Sequence, residues 1–113
     1  VQAETRMGID NLDEIAAVDG VDGVFIGPAD LSAAFGHVGD PWHPEMVKLH
    51  EETFRRIRKA GKAIGILTLE EARAKQHVEM GATFIAVGTD SNLMVKGTNA
   101  LVSAFKGNHQ ETP

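Results

Sequence analysis

Three short, continuous apolar runs separated by longer helical patterns place the strongest constraint on how this chain can fold. They occupy residues 23–27, 63–67 and 84–88. Uninterrupted apolar runs of this length are typical of strands buried on both faces, as in parallel sheets. Residues 1–5 have alternating character and are predicted to form a strand that precedes the other three.

The segments between the predicted strands have apolar residues at helical spacing. This spacing predicts helices over residues 10–18, 44–60, 69–80 and 91–105. Pro44 suits the first position of the longest helix, and Gly61 suits its end. The apolar stripe of this helix consists of Val47, His50, Phe54 and Ile57. Thr68 and Glu71 are predicted to form a capping box at the start of the third helix.

Four successive βα units predict an α/β fold with a parallel sheet. An open flavodoxin-like sheet and one half of a (β/α)₈ barrel, which needs ~250 residues, both fit this pattern. The four units are predicted to cover residues 1–105, and residues 106–113 are predicted to form a polar tail. The longest connection spans residues 30–43, with a short helical turn predicted over residues 31–35. An isolated half barrel would leave two open sheet edges and one uncovered face.

Composition excludes several classes of protein. The 113 residues contain no cysteine, which excludes disulfides and thiolate chemistry and suits a cytoplasmic protein. No apolar run approaches the ~20 residues of a membrane helix. The formal net charge of −5 disfavours a nucleic-acid partner, which usually requires a basic face. The basic run at residues 55–59 is interpreted as a solvated helix face near a helix carboxyl end.

Polar residues at the carboxyl ends of the predicted strands are the candidates for chemistry, because active sites of parallel α/β folds lie there. Gln2 and Glu4 are two residues apart and share one face of the first strand. Asp30 follows the second strand. Glu4 and Asp30 offer the hard oxygen ligands that suit Mg²⁺ or Mn²⁺. The alternative is structural: Glu4 pairs with Arg6, and Asp30 caps a turn.

Other polar groups have two interpretations each. Backbone N–H groups of residues 27–30 either bind an anion or form a tight turn. Residues 88–91 before the last helix either hold an anion or cap the helix. Trp42 either covers a surface or lines a site. The histidines are scattered through loops, helices and the tail without a zinc-ligand spacing; they are His37, His43, His50, His77 and His109.

The residues resemble the HpcH/HpaI class II aldolases over about residues 1–105. The most specific stretch is Gly-Pro-Ala-Asp-Leu-Ser at residues 27–32, following the strand Gly-Val-Phe-Ile. Further matches are Val-Gln-Ala-Glu-Thr at residues 1–5, His-Pro-Glu at 43–45 and Phe-Ile-Ala-Val-Gly at 84–88. The resemblance implies a (β/α)₈ barrel of which this chain is the second half, strands five to eight.

The same resemblance implies a metal-dependent cleavage or condensation of 4-hydroxy-2-oxo acids that yields pyruvate and an aldehyde. Glu4 and Asp30 would be the two ligands of the divalent metal, Mg²⁺ or Mn²⁺, with Co²⁺ or Zn²⁺ as further options. Gln2 would lie beside pyruvate, the N–H groups of Ala29 and Asp30 would hold its carboxylate, and Leu67 would line the pocket. Members of this family are commonly hexamers, so a homo-oligomer is expected.

The family's catalytic His–Asp pair and its substrate-clamping arginine come from the first half of the barrel. No histidine of this sequence is assigned their role, so no catalytic residue is predicted here. The chain alone is therefore expected to be inactive without the amino-terminal half. A citrate-lyase-like or malyl-CoA-like lyase, and a non-catalytic assembly module, are the alternative functions. The aldehyde partner is open among succinic semialdehyde, lactaldehyde and tartronate semialdehyde.

Overall fold

A computed structural model describes residues 1–106 and contains a four-stranded sheet in which every neighbouring pair is parallel. The strands lie side by side in chain order and are β1 (Gln2–Ala3), β2 (Gly23–Ile26), β3 (Ala63–Leu67) and β4 (Phe84–Ala86). A doubly wound flavodoxin-like sheet reverses its strand order, whereas a (β/α)₈ barrel adds each strand beside the previous one. The observed order therefore favours the barrel.

Within residues 1–106, six helices connect and flank these strands: α1 (Arg6–Asp10), α2 (Leu12–Ala17), α3 (Pro28–Ala34), α4 (Pro44–Lys59), α5 (Glu71–Glu79) and α6 (Asp90–Lys106). The prediction for α4 is confirmed, with Pro44 in its first turn and Gly61 just after its end at φ 72°. That left-handed conformation favours glycine, so Gly61 stops the helix where the sequence predicts.

The first predicted strand and helix are wrong in detail. β1 has only two residues, because Thr5 leaves the strand and its hydroxyl accepts a hydrogen bond from the Gly8 N–H at 3.0 Å. This cap starts α1 four residues before the predicted helix. Asn11 then separates α1 from α2, so the predicted single helix is two short ones.

Two further local predictions are corrected by the structure. Thr68 and Glu71 form no capping box, because α5 has Glu70 as its N-cap without a side-chain hydrogen bond. The Thr68 hydroxyl is instead hydrogen-bonded to His77 Nδ1 at 2.9 Å. The short turn predicted over residues 31–35 is the longer helix α3, which already begins at Pro28.

The core lies between one face of the sheet and the helices α1, α2 and α4. It is built from Ala3, Ile9, Leu12, Ala16, Val24, Ile26, Leu31, Met46, Phe54, Ile57, Ile64, Ile66 and Ala82. Arg56, the second residue of the basic run, donates to Asp13 Oδ1 and to the Ile9 carbonyl, both at 2.9 Å. The run is therefore partly a structural contact between α4 and the first two helices, and only partly a solvated face.

The opposite face of the sheet is open in the part of the chain that the structure describes. Phe25 and Phe84 lie edge to face across it, with ring centroids 5.6 Å apart, and Phe84 is 68% exposed. They border an open cavity of about 300 Å³. The expectation of strands buried on both faces is thus wrong for this chain by itself, and the expectation of one uncovered face for a half barrel is met.

Helix α6 has no buried residue. Its exposed apolar side chains are Leu93, Met94, Val95, Leu101, Val102 and Phe105. Among residues 1–106 no helix has the length and hydropathy to cross a membrane. The polar tail was predicted from residue 106; Lys106 ends α6, and residues 107–113, including His109, lie outside the described residues.

Candidate functional site

Gln2 and Glu4 meet the end of β2 at Gly27. The register pairs Ala3 with Ile26, and the Gly27 N–H approaches the Ala3 carbonyl at 3.5 Å. A Cβ atom at Gly27 would lie 2.7 Å from Glu4 Oε2 and 3.2 Å from Gln2 Nε2. The two polar side chains therefore converge on one point at the carboxyl end of the sheet, as the sequence predicts, and the missing side chain of Gly27 makes room for them.

The first turn of α3 starts at the same point. Gly27 is the N-cap, Pro28 has no N–H, and the first intrahelical bond runs from the Leu31 N–H to the Gly27 carbonyl at 2.9 Å. The N–H groups of Ala29 and Asp30 precede this bond and have no acceptor among residues 1–106. Both residues are exposed. Two N–H donors and the Asp30 carboxylate thus belong to the turn that begins where Glu4 lies.

The structural alternatives for the two carboxylates are wrong. Arg6 does not pair with Glu4, since its Nε donates to the Ala34 carbonyl at 2.8 Å and its guanidinium lies 4.2 Å above the Phe35 ring. Asp30 does not cap the turn, because it lies inside α3. Within residues 1–106, neither Glu4 nor Asp30 takes part in an ion pair.

The ends of β3 and β4 contribute less to this site. Leu67 is half-buried as the last residue of β3, whereas the Thr68 side chain is buried against His77. The Thr89 hydroxyl accepts from the Asn92 N–H at 3.2 Å, and Asp90 accepts from the next N–H at 2.7 Å. The segment before α6 is therefore a helix cap, which decides between its two interpretations.

A second group of polar side chains is buried between α4 and α5. His50 is 2% exposed, and among residues 1–106 neither of its ring nitrogens has a hydrogen-bond partner. Burial, with smaller effects from His77 and Arg73, lowers the pKa of His50 to about 4. The rings of Trp42 and His50 pack edge to face. On the Trp42 ring lies the guanidinium of Arg73, with its Cζ atom 4.5 Å from the centroid of the Trp42 ring. Trp42 therefore covers this buried histidine.

The structure also brings together two histidines that sequence reasoning treats as scattered. His37 and His43 stack with ring centroids 3.8 Å apart, and His37 Nε2 lies 2.8 Å from Glu45 Oε2. The available signal was the spacing of six and two residues across a loop that contains two prolines and a glycine. Loop closure by turns can bring such positions together, but the spacing matches no zinc-binding motif.

Comparison with known proteins adds a family to this geometry. The family model described as HpcH/HpaI aldolase/citrate lyase matches residues 1–97. A hydroxypyruvate/pyruvate aldolase of Pseudomonas aeruginosa is 54% identical over 107 residues, covering 95% of this chain and 40% of that protein. A 4-hydroxy-2-oxo-heptane-1,7-dioate aldolase of Klebsiella pneumoniae is 53% identical, covering 99% of this chain and 42% of that protein.

A solved structure supports the same relationship. The HpcH/HpaI aldolase of Desulfitobacterium hafniense superposes with a TM-score of 0.90 at 30% identity, covering 99% of this chain and 44% of that one. The chain thus spans about two fifths of the length of the relatives it matches. The predicted α/β fold, as part of a (β/α)₈ barrel of this family, is confirmed.

Proposed function

Because the chain belongs to the HpcH/HpaI aldolase/citrate lyase family, we propose that it forms strands five to eight of a barrel that cleaves or forms 4-hydroxy-2-oxo acids, with pyruvate as the shared product. The observation that carries this proposal is the convergence of Gln2 and Glu4 on Gly27, where the first turn of α3 begins. An enzyme of this class needs one group that binds the carboxylate of the keto acid and another that binds its keto oxygen. The carboxyl ends of β1 and β2, with the first turn of α3, offer N–H donors for the first and carboxylates that could hold a metal ion for the second.

Glu4 and Asp30 fit a divalent ion. Glu4 is half-buried with its carboxylate in the space over Gly27, Asp30 is three residues along the same turn, and neither carboxylate is in an ion pair among the described residues. Two carboxylates with open neighbouring positions suit Mg²⁺ or Mn²⁺, and oxygen-rich sites also accept Co²⁺ or Zn²⁺. When bound, such an ion supplies Lewis-acid stabilisation of the charge that develops on the keto oxygen.

The remaining side chains and N–H groups at this corner would orient the keto acid. The N–H groups of Ala29 and Asp30 are without acceptors in α3 and would donate to the pyruvate carboxylate. The Gln2 amide, held beside Glu4, would donate to the same ligand. Leu67 at the end of β3 would form an apolar wall. Lys62 takes no part, because it lies before β3 and its Nζ donates to the Val21 carbonyl at 2.6 Å.

The purified 113-residue chain is expected to release no pyruvate from 4-hydroxy-2-oxo acids. The residues that would move protons in the family, a His–Asp pair, are assigned to the other half of the barrel, and His50 and His77 of this chain are buried between helices. Coupled lactate dehydrogenase detects pyruvate directly. Activity should appear when the chain is co-purified with a relative's amino-terminal half. Pyruvate release by the chain alone would contradict the assignment of the catalytic residues to the other half of the barrel.

Replacing Gly27 by alanine is expected to weaken Mn²⁺ binding by about tenfold while leaving the fold nearly unchanged. The new methyl group would displace the end of the flexible Glu4 side chain, not backbone, and Gly27 has φ −97°, which alanine adopts readily. Mn²⁺ titration and thermal unfolding separate the two effects. Gly20→Ala is the control with the reverse expectation. Gly20 has φ 87°, a conformation that alanine adopts poorly, so this change should lower stability without changing Mn²⁺ affinity. Unchanged affinity in Gly27→Ala would argue against Glu4 as a ligand.

The same proposal includes partners for two exposed surfaces. The open face of the sheet, bordered by Phe25 and Phe84, would be closed by the other strands of the barrel. Helix α6 has exposed apolar residues along its length, which fits burial against another subunit in a homo-oligomer such as a hexamer. Localisation in the cytoplasm stays a prediction.

A further inference from the structure

His37, His43 and Glu45 form a cluster of three metal-ligating side chains at the loop between α3 and α4. One ligand atom from each lies within 4.8 Å of those of the other two. Among residues 1–106 this is the one set of three such side chains that meets that distance, and it contains neither Glu4 nor Asp30. The cluster is therefore chemically separate from the oxygen site at the end of β2.

Backbone hydrogen bonds hold the loop in the shape that brings the cluster together. The His37 N–H donates to the Ser32 carbonyl at 2.8 Å, the Asp40 N–H to the His37 carbonyl at 3.0 Å, and the His43 N–H to the Asp40 carbonyl at 3.2 Å. Gly39 has φ 78°, which lets the loop reverse between them. Glu45 lies in the first turn of α4, after the N-cap His43. The ligand positions are thus set by turns and a helix start.

A hydrogen bond and a helix cap explain only part of this arrangement. His37 Nε2 and Glu45 Oε2 lie 2.8 Å apart, within hydrogen-bond distance. The helix cap is long, since the Glu45 N–H donates to His43 Nδ1 at 3.3 Å. The ring of His43 also stacks on the ring of His37 at an interplanar angle of 15°. Neither interaction requires a second imidazole face to face with the first.

We propose that His37, His43 and Glu45 bind a transition-metal ion of borderline softness, with Zn²⁺ as the representative ion. Two imidazole nitrogens and one carboxylate oxygen are a common donor set for Zn²⁺, whereas Mg²⁺ and Mn²⁺ favour oxygen ligands. Ligand atoms at 2.0–2.1 Å from a tetrahedral ion lie roughly 3.3 Å from one another. The ligand atoms, within 4.8 Å of one another, would move closer by up to about 1.5 Å, the two stacked rings would turn toward the ion, and water would fill the fourth position.

Binding of the ion would join the end of α3 to the start of α4. His37 follows α3 in the chain, and His43 and Glu45 belong to the start of α4, so the ion would close a loop of nine residues. An ion that binds only the folded loop stabilises it by mass action. We therefore expect the bound ion to fix the loop that follows the helix carrying Ala29 and Asp30.

The test is a titration of the 113-residue chain with Zn²⁺, followed by the imidazole C–H signals in NMR and by the visible absorption of Co²⁺ as a spectroscopic substitute. One equivalent should bind, with shifts in two histidines. His37→Ala and His43→Ala should each weaken binding by at least tenfold. Glu45→Gln, which removes the third ligand's charge, should also weaken binding. Glu52→Gln, on the exposed side of α4, is its matched control and should bind as the unchanged chain does.

Two results would overturn the proposal. One is Zn²⁺ affinity that stays the same in His37→Ala and His43→Ala, with circular dichroism showing that the variants are folded. The other is Zn²⁺ binding that disappears in Asp30→Asn, which would assign the ion to the oxygen site. Because the two sites have no ligand in common, Mn²⁺ binding lost in Asp30→Asn but kept in His37→Ala supports the function proposed above whatever the zinc result.

Discussion

Mn²⁺ binding is expected to weaken by at least about 100-fold, or about 2.7 kcal/mol, in both Glu4→Gln and Asp30→Asn. Each change keeps the shape of the side chain and removes one negative charge from the pair. Residues that merely orient metal ligands contribute about 10- to 100-fold to affinity, so loss of a ligand's own charge should reach or exceed that range. The activity of the completed barrel should fall in parallel, because the two carboxylates hold the ion that would bind the keto acid.

Electron paramagnetic resonance of free Mn²⁺ measures this affinity directly. Asp22→Asn is the matched control, since Asp22 is an exposed acid that precedes β2, at the end of the sheet opposite to Gly27. Its Mn²⁺ affinity should equal that of the unchanged chain. Equal affinity in all three variants would remove the metal assignment, and an equal loss in all three would show only a general effect of charge.

Acid is expected to destabilise the chain through His50. Its pKa is about 4 in the folded protein and 6.5 when exposed, because burial disfavours the charged ring and His77 and Arg73 add positive charge nearby. Between these two pH values the unfolded chain binds more protons than the folded chain does. The free energy of unfolding is therefore highest above about pH 6.5 and falls as the pH drops. From pH 7.5 to pH 5 the loss is about 2 kcal/mol, and by pH 4 about 3 kcal/mol.

His50→Leu should remove most of this dependence. Leucine has no group to protonate, and among the described residues it would replace a ring whose two nitrogens have no hydrogen-bond partner. The variant is expected to be about 2 kcal/mol more stable than the unchanged chain at pH 5. His77, whose pKa is also lowered by burial and by Arg73, keeps a smaller dependence. Urea unfolding at several pH values checks this, and parallel pH profiles for the two proteins would contradict it.

Much of the site followed from local sequence. Gln2 and Glu4 share a face because strand side chains alternate, and Asp30 follows the next strand by a short turn, so their common edge of the sheet could be predicted. The absence of an ion pair between Glu4 and Arg6 could not be predicted from the sequence. Arg6 is drawn to the Ala34 carbonyl and the Phe35 ring by the position of α3, which is separated from it by more than twenty residues.

The missed features share one physical cause. Thr68 had an acceptable capping partner nearby in sequence, yet its hydroxyl is hydrogen-bonded to His77, whose ring is held there against Trp42 and Phe54. His37 and His43 had no recognised spacing, and turns in the loop stacked them. In each case several local partners were possible, and the choice depended on contacts between segments.

The order of strands and helices, the ends of α4 and the position of the candidate oxygen site were determined by the sequence itself, since periodicity, proline and glycine act within a few residues. The half-barrel sheet order, the open face, the fate of Arg6 and Thr68 and the His37–His43–Glu45 cluster were decided only by tertiary structure. These features depend on which distant side chains are packed together, and the free energy of those contacts outweighs local preference.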